Sequence, residues 1–141
     1  MEYRSFNDVY VVRLERGEEI LSSLAALCKN EGIELATVEA IGASDHAVVG
    51  VYDLNSHQYN RKTLEGSMEI TSILGNVTRK DGNPYLHLHI TLCGEDAGVI
   101  GGHLLECRIS LTCEIFVRRV SGNVGRKPDG EGLGLNLFDL T

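Results

Sequence analysis

The chain has 141 residues, of which 43% are hydrophobic and 23% charged, and its formal net charge is −7. This length suits one domain with a core of its own. The acidic balance disfavours binding of DNA by this domain alone, because proteins that bind nucleic acids usually present a basic face. No apolar run approaches the roughly 18–20 residues that a membrane span requires.

The cysteines form neither a CxxC pair nor a regular framework, and they are Cys28, Cys93, Cys107 and Cys113. Reduced and mostly buried thiols are the expected state for such a set. The stretch from Met1 to Arg4 lacks the basic-then-apolar form of a secretion signal. We therefore expect a cytoplasmic protein that does not associate with a membrane.

The first part of the chain predicts a strand followed by a helix. Residues 3–14 alternate in the manner of a strand that ends at Gly17. Residues 18–31 place apolar side chains on one helical stripe, and acidic residues at the start suit the helix dipole. Gly32 is a suitable left-handed terminator for this helix.

The middle of the chain predicts strands separated by turns. Residues 33–53 contain two apolar runs on either side of Gly42–Asp45, which predicts a turn or a bulge. Residues 57–65 form a polar strand, which Gly66 separates from the strand at 67–79. The segment from Lys80 to Pro84 then predicts a hairpin turn.

Residues 85–93 predict the strand that matters most for function. Leu86, Leu88, Ile90 and Leu92 fall on one face and suit a core, whereas Tyr85, His87, His89, Thr91 and Cys93 fall on the other. The second face thus carries two imidazoles side by side. A third, His103, follows Gly101 and Gly102 in the next strand-like run.

The last part of the chain predicts a long strand and a tail. Residues 108–120 alternate regularly, and 121–141 begin with many glycines and end with apolar residues that we expect to dock. The predicted fold is therefore an α+β domain with a largely antiparallel sheet and one main helix. Residues 1–121 form the domain, and 122–141 form the Gly-rich tail.

The three histidines His87, His89 and His103 predict a metal site. Neutral imidazole is a common ligand of zinc, and three protein ligands with an open fourth position are typical of catalytic zinc. Zinc is the expected ion, and another divalent metal is the alternative. The competing interpretation is that these histidines form hydrogen bonds within a subunit interface. The run from Gly98 to Gly102 is not a phosphate-binding loop, because the Lys-Ser/Thr element is absent.

Several motifs together resemble the PPC domain, named for plants and prokaryotes conserved. They are His87-x-His89, the segment Gly98–Leu105 with its Gly-Gly-His, the strand that contains Glu114, the turn Gly42–Asp45 and the Glu-Ile segment Leu64–Gly75. The resemblance covers residues 5–120. It implies a compact antiparallel domain that assembles as a homotrimer. Prokaryotic single-domain members have a poorly defined function and are often labelled DNA-binding by transfer.

Two further expectations accompany the resemblance. Glu69 lies in the matched Glu-Ile segment and is a candidate general base or partner of an imidazole, and Glu114 is a weaker candidate. The plant members carry an AT-hook, for which Gly125–Pro128 is the nearest stretch here, but it lacks the leading arginine. We interpret Arg126 and Lys127 as part of a solvated tail.

Three hypotheses from different classes follow. The first is a trimeric protein with a histidine metal site of unassigned chemistry, whose status as an enzyme the sequence leaves open. The second is a DNA-binding or transcription-associated module that acts mainly through protein contacts. The third is a purely structural assembly domain.

Overall fold

A computed structural model describes all 141 residues and shows eight strands and one helix. In chain order these are β1 (Glu2–Phe6), β2 (Val9–Glu15), α1 (Ile20–Asn30), β3 (Ala36–Asp53), β4 (Gln58–Lys80), β5 (Asn83–Gly94), β6 (Val99–Arg119), β7 (Gly125–Pro128) and β8 (Asn136–Asp139). The predicted fold class, α+β with a largely antiparallel sheet and one main helix, is confirmed. The helix, with 11 residues, is too short to cross a membrane.

Six strands form one antiparallel sheet in the order β1-β2-β6-β3-β4-β5. The strands β3 to β6 also close on themselves, because the beginning of β6 (Val99–His103) pairs with the end of β5 (His89–Cys93). The later part of β6 pairs with β2 on one side and β3 on the other. His103, which follows two glycines in β6, is thereby placed next to β5, the strand that carries His87 and His89.

The core lies between the helix and the inner face of the sheet. Alternation along β5 buries Leu88, Ile90 and Leu92 as predicted, and α1 packs against β5 and β6. Ile20 and Leu24 are two of the helix residues that join the single cluster of 25 buried residues. The opposite face of β5 is thus left for the histidines.

The ends of α1 follow the sequence signals. Glu19 is the N-cap, and its carboxylate accepts hydrogen bonds from the backbone N–H groups of Leu21 at 3.0 Å and Ser22 at 2.7 Å. Gly32, just beyond the helix, has a φ of 61°, as the prediction of a left-handed terminator requires. The helix itself is shorter than the predicted range 18–31 by two residues at the start and one at the end.

Three details of the predicted strands are wrong. Residues 3–14 form a hairpin that turns at Asn7, not one strand. Gly66 lies inside β4 and does not separate two strands. Residues 99–119 form one continuous strand, β6, instead of a run around His103 followed by a separate strand at 108–120. At Gly66, β4 places two residues opposite the single residue Asp45 of β3. Such a bulge bends a strand without ending its pairing. For Gly42–Asp45 the sequence predicted either a turn or a bulge. The bulge is confirmed, because the strand register shifts on both sides of Ser44.

The last 17 residues contain a short antiparallel hairpin, formed by β7 and β8. The backbone N–H of Arg79 in β4 donates to the carbonyl of Val124 at 3.0 Å, just before β7 begins. The carboxylate of Asp129 shapes the loop between β7 and β8 by accepting hydrogen bonds from backbone N–H groups of residues 131, 133 and 135. The hairpin lies on the same side of the sheet as His87 and His103, because residues 135–138 line a cavity with these two histidines.

Candidate metal centre

Strand pairing brings the three predicted histidines together. His89 of β5 and His103 of β6 are direct partners in the ladder, and His87 lies two residues along β5 on the same face. Direct partners in an antiparallel ladder have Cβ atoms roughly 4.5–5.5 Å apart. The β5–β6 closure, which requires the chain to reverse between Cys93 and Val99, is what builds the cluster.

The three imidazole rings are close enough to share one ion. Ring centroids are separated by 5.3 Å for His87 and His89, 5.1 Å for His87 and His103, and 5.6 Å for His89 and His103. One nitrogen from each ring can be chosen so that all three lie within 4.8 Å of one another. Zinc–nitrogen bonds of about 2.0–2.1 Å hold ligand atoms at most about 4 Å apart, so small side-chain rotations close the set.

The chemistry of His103 fits a metal ligand. Its Nδ1 atom is buried and has no hydrogen-bond partner, although buried polar atoms nearly always have one. Burial, followed by the neighbouring His87 and His89, lowers the pKa of His103 from 6.5 to about 4. The ring is therefore neutral at physiological pH. A bound metal ion, or a group that it holds in place, would give the Nδ1 atom of His103 the partner that it lacks.

The glycines around the cluster permit close approach of its strands. A Cβ at Gly75 would lie 2.0 Å from the carbonyl oxygen of His87, and one at Gly101 would lie 2.6 Å from that of Ile90. At Gly102 the nearest atom would be the carbonyl oxygen of Gly50 at 2.8 Å. Gly101 and Gly102 thus allow close approach of neighbouring backbones, and Gly75 has the same role.

Aromatic side chains complete one wall of the cluster. Tyr59 of β4 stacks on His103, with ring centroids 4.8 Å apart and an interplanar angle of 23°. Tyr52 contacts Tyr59 edge-on at 5.3 Å. Gly50 leaves room for this arrangement, because a Cβ there would lie 2.9 Å from Cδ1 of Tyr59. The position of the His103 ring is therefore fixed by packing as well as by its strand.

Arg126 is not part of a solvated tail, and this interpretation is wrong. Its guanidinium lies between two rings, 4.7 Å from the centroid of Tyr85 and 4.3 Å from that of Phe138. Its three nitrogens donate to Thr78 Oγ1, to the carbonyl of Asn136 and to Asn76 Oδ1, at 2.8, 3.0 and 2.7 Å. This side chain helps to hold the tail on the sheet, and its partners come from β4, β5 and β8.

A cavity of about 360 Å³ lies between the histidines and the C-terminal hairpin. The cavity is lined by the rings of the tyrosines and histidines and by the guanidinium. The lining residues are Tyr59, Asn76, Tyr85, His87, His103, Arg126 and residues 135–138. Burial, followed by the charges of His89 and Arg126, lowers the pKa of His87. The proximity of Arg126 thus acts electrostatically on the cluster across this cavity.

The other predicted candidates do not join the cluster. Glu69 is exposed and lies opposite Cys93 in the β4–β5 ladder, about 13 Å along β5 from His89 at about 3.3 Å per residue. Glu114 is exposed on β6, where it pairs with Arg13 and Ile41. Neither carboxylate belongs to the group of metal-ligating atoms that the structure gathers.

Sequence reasoning found the three histidines but missed Arg126, Tyr59 and Asn76. The signal for Arg126 was weak: a single arginine near a stretch of apolar residues that were expected to dock. Tyr85 shares the histidine face of β5 by alternation alone, so its place in the cavity followed from the pattern. Tyr59 and Asn76 depend on the β3–β4–β5 register, which no local pattern specifies.

Solved structures similar to this chain agree with its fold along nearly the full length. A "putative dna binding protein" from Bacteroides thetaiotaomicron has 31% identity and a TM-score of 0.94, with 98% of this chain and 96% of that chain covered. A plant- and prokaryote-conserved protein from Pyrococcus horikoshii has 36% identity and a TM-score of 0.89, covering 98% and 94%. A "metal-containing protein" from Archaeoglobus fulgidus has 36% identity and a TM-score of 0.86, covering 97% and 96%.

No curated protein matches the sequence. The family model of the Plants and Prokaryotes Conserved domain, abbreviated PCC or PPC, matches residues 1–121. The matched range includes all three clustered histidines and ends before the hairpin that lines the cavity with His87 and His103. The chain therefore belongs to the PPC domain family.

Proposed function

We propose that the chain binds a divalent metal ion, zinc being the first choice, through His87, His89 and His103. The observation that carries this proposal is the buried Nδ1 atom of His103, which has no protein partner. Three imidazoles suit zinc, copper, iron or nickel better than magnesium or calcium, which prefer oxygen ligands. The metal-containing relative from Archaeoglobus fulgidus supports the proposal.

Three histidine ligands leave a coordination position free, where a bound ion supplies Lewis acidity and a water of lowered pKa. The cavity lies on the side of the cluster that is lined by His87 and His103. Tyr59 holds the ring of His103, and Arg126 places a positive charge beside the cluster. No carboxylate lies within the cluster to act as a general base, so we propose a metal-binding site and assign no reaction to it.

The experiment that tests this proposal is metal analysis of protein purified without a histidine tag. We expect close to one equivalent of metal per chain after exposure to zinc and dialysis, and loss of that metal in a His87→Ala, His89→Ala double variant. His57→Asn is the matched control, because His57 is exposed and its φ of 54° is one that asparagine tolerates. Equal metal content in wild type and the double variant would remove the proposal.

We also propose the homotrimer that the resemblance to the PPC domain implies, with an exposed groove as its contact surface. Ile41 and Leu111 are 57% and 71% exposed and line one open groove of about 600 Å³ with Gly42 and Thr112. Two neighbouring apolar side chains that are this exposed suit contact with another protein surface, and another copy of the chain is the occupant we propose. Light scattering should give three chains for wild type and fewer for Leu111→Glu, with Leu54→Glu, at an equally exposed position, unchanged.

DNA binding is the alternative function, favoured by the name of the Bacteroides relative. The net charge of −7 opposes it, and the basic pair at 126–127 is folded onto the sheet or paired with Asp139. Salt-dependent retention on DNA would favour this alternative over the metal site.

We propose the cytoplasm as the location of the protein, since all four cysteines are unpaired, as is usual in reducing compartments.

A further inference from the structure

Arg126 carries a partly buried positive charge that no carboxylate neutralises. None of the nine salt bridges in the structure involves it. Its partners are a hydroxyl, an amide oxygen and a backbone carbonyl, all of them uncharged. Charges removed from water are normally paired, so this guanidinium lacks the counter-charge that its surroundings call for.

The guanidinium also retains hydrogen-bonding capacity. Arginine has five N–H donors, and three are used here, one each by Thr78, Asn136 and Asn76. Two N–H groups, one on each terminal nitrogen, are left for a ligand, which is the number that a carboxylate accepts in a bidentate contact. Arg126 lines the same cavity as His87 and His103, so these donors and the proposed metal site border one space.

The rest of the lining indicates an organic ligand rather than an inorganic ion. Leu135, Leu137 and Phe138 form the part of the wall contributed by the hairpin, and the rings of Tyr59 and Tyr85 form an aromatic wall contributed by β4 and β5. Apolar and aromatic walls with a few polar groups are typical of small-molecule sites. A cavity of about 360 Å³ accommodates a molecule of small-metabolite size and has no room for a nucleic acid strand.

We propose that this cavity binds a small organic carboxylate, with the carboxylate on the free donors of Arg126 and the organic part between the hairpin and the aromatic wall. The inference deepens the proposed function, because the other end of such a ligand faces the histidine cluster and its metal. The C-terminal hairpin is then the part of the chain that makes the site selective, since it supplies the cation and the apolar wall. A free phosphate shares the anionic chemistry, and the apolar wall is the reason to prefer the carboxylate.

The test uses the full chain in metal-free form, with succinate as the probe, succinamide as its uncharged match and inorganic phosphate as the second anion. Binding is measured by calorimetry and by NMR of the aromatic rings. We expect saturable binding of succinate that shifts the rings of Tyr59, Tyr85 and Phe138, with weaker effects of the other two probes. Equal effects of succinamide, tighter binding of phosphate, or shifts confined to other rings would overturn the proposal.

Variants locate the anion. Arg126→Gln should weaken succinate binding by at least about tenfold, because the bidentate charged contact is replaced by neutral donors, whereas Arg126→Lys should retain part of the affinity. Arg4→Gln removes an exposed cation on β1 and should change nothing. If Arg126→Gln releases the hairpin, visible as a free Phe138 ring, the comparison of succinate with succinamide on wild type still decides.

The outcomes separate this inference from the metal site. Succinate binding to a chain that takes up no metal would overturn the metal site alone. Metal uptake by a chain that does not distinguish succinate from succinamide would overturn the carboxylate site alone. If both hold, zinc loading should tighten succinate binding in wild type and leave it unchanged in the His87→Ala, His89→Ala variant.

Discussion

Arg126 in the C-terminal hairpin donates a hydrogen bond of 2.7 Å to the side-chain oxygen of Asn76 in β4. Asn76 is in turn the ladder partner of His87 in β5. A single residue, Asn76, therefore connects the Gly-rich tail to the histidine cluster, and changes in the hairpin should be felt at the site.

Phe138→Ala should loosen the hairpin without unfolding the domain. The Phe138 ring lies 4.3 Å from the guanidinium of Arg126 and is 43% exposed, so it contributes to the hairpin and not to the core. We expect a loss of about 1 kcal/mol, typical of a partly exposed cation–π pair with its apolar contact. Hydrogen exchange should accelerate at residues 125–139 and remain unchanged in β5. Leu140→Ala, at a 77% exposed position, is the control and should have no effect.

His103→Leu should separate the folding role of this residue from its metal role. Removing a buried polar atom that has no partner relieves a desolvation penalty of about 1–3 kcal/mol, partly offset by the lost stacking on Tyr59. We therefore expect the metal-free variant to be as stable as wild type or more so in urea. Added zinc should raise the melting temperature of wild type only. A metal-free variant less stable by more than about 2 kcal/mol would mean that His103 is satisfied in the protein by other means.

Gly75→Ala should be among the most damaging small substitutions in the chain. The added Cβ would lie 2.0 Å from the carbonyl oxygen of His87 and 2.8 Å from Cα of Leu88, both backbone atoms that cannot rotate away. Strands β4 and β5 would have to separate, at a cost of about 3 kcal/mol. Gly130→Ala is the matched control, because a Cβ there meets nothing within 4 Å. Urea unfolding of both variants measures the difference, and similar stabilities would contradict the close approach of the two strands.

How much of this architecture the sequence could predict depends on the range of each interaction. The alternation along 86–92 and the stripe of α1 are local, and both were predicted; of the expected core residues only Leu86 and Leu21 are partly rather than fully buried. The break at Gly66 was wrong because a bulge and a turn use the same residue types, and only the partner strand tells them apart. The partners of Arg126 are separated from it by 10 to 50 residues, so no local pattern could identify them.

The four cysteines should differ sharply in reactivity. Burial raises the pKa of Cys28 and Cys107 to about 11 and that of Cys113 to about 12, so these thiols stay protonated at pH 8. The thiolate is the reactive form. Cys93 is half-buried at the end of β5 and is the thiol that reagents should reach. We expect one fast equivalent with a disulfide reagent at pH 8, lost in Cys93→Ser, and four equivalents in denaturant.

The loop between β7 and β8 should open in acid because of Asp129. Its carboxylate accepts backbone hydrogen bonds from Leu133 at 2.7 Å, Leu135 at 2.9 Å and Glu131 at 3.1 Å. These bonds, that of Leu133 first, lower the pKa of Asp129 below its ordinary 3.8. A lowered pKa in the folded state means that the stabilisation is present above about pH 4 and is lost as the pH falls through the folded value.

The measurement is the amide proton shift of Leu133 and Leu135 between pH 6 and pH 2. Both amides should titrate together with a midpoint below 3.8 and move toward random-coil positions, while amides of β5 remain unchanged. Asp129→Asn should remove this titration, because its side chain carries no charge. A midpoint at or above the ordinary aspartate value would show that the carboxylate does not hold the loop.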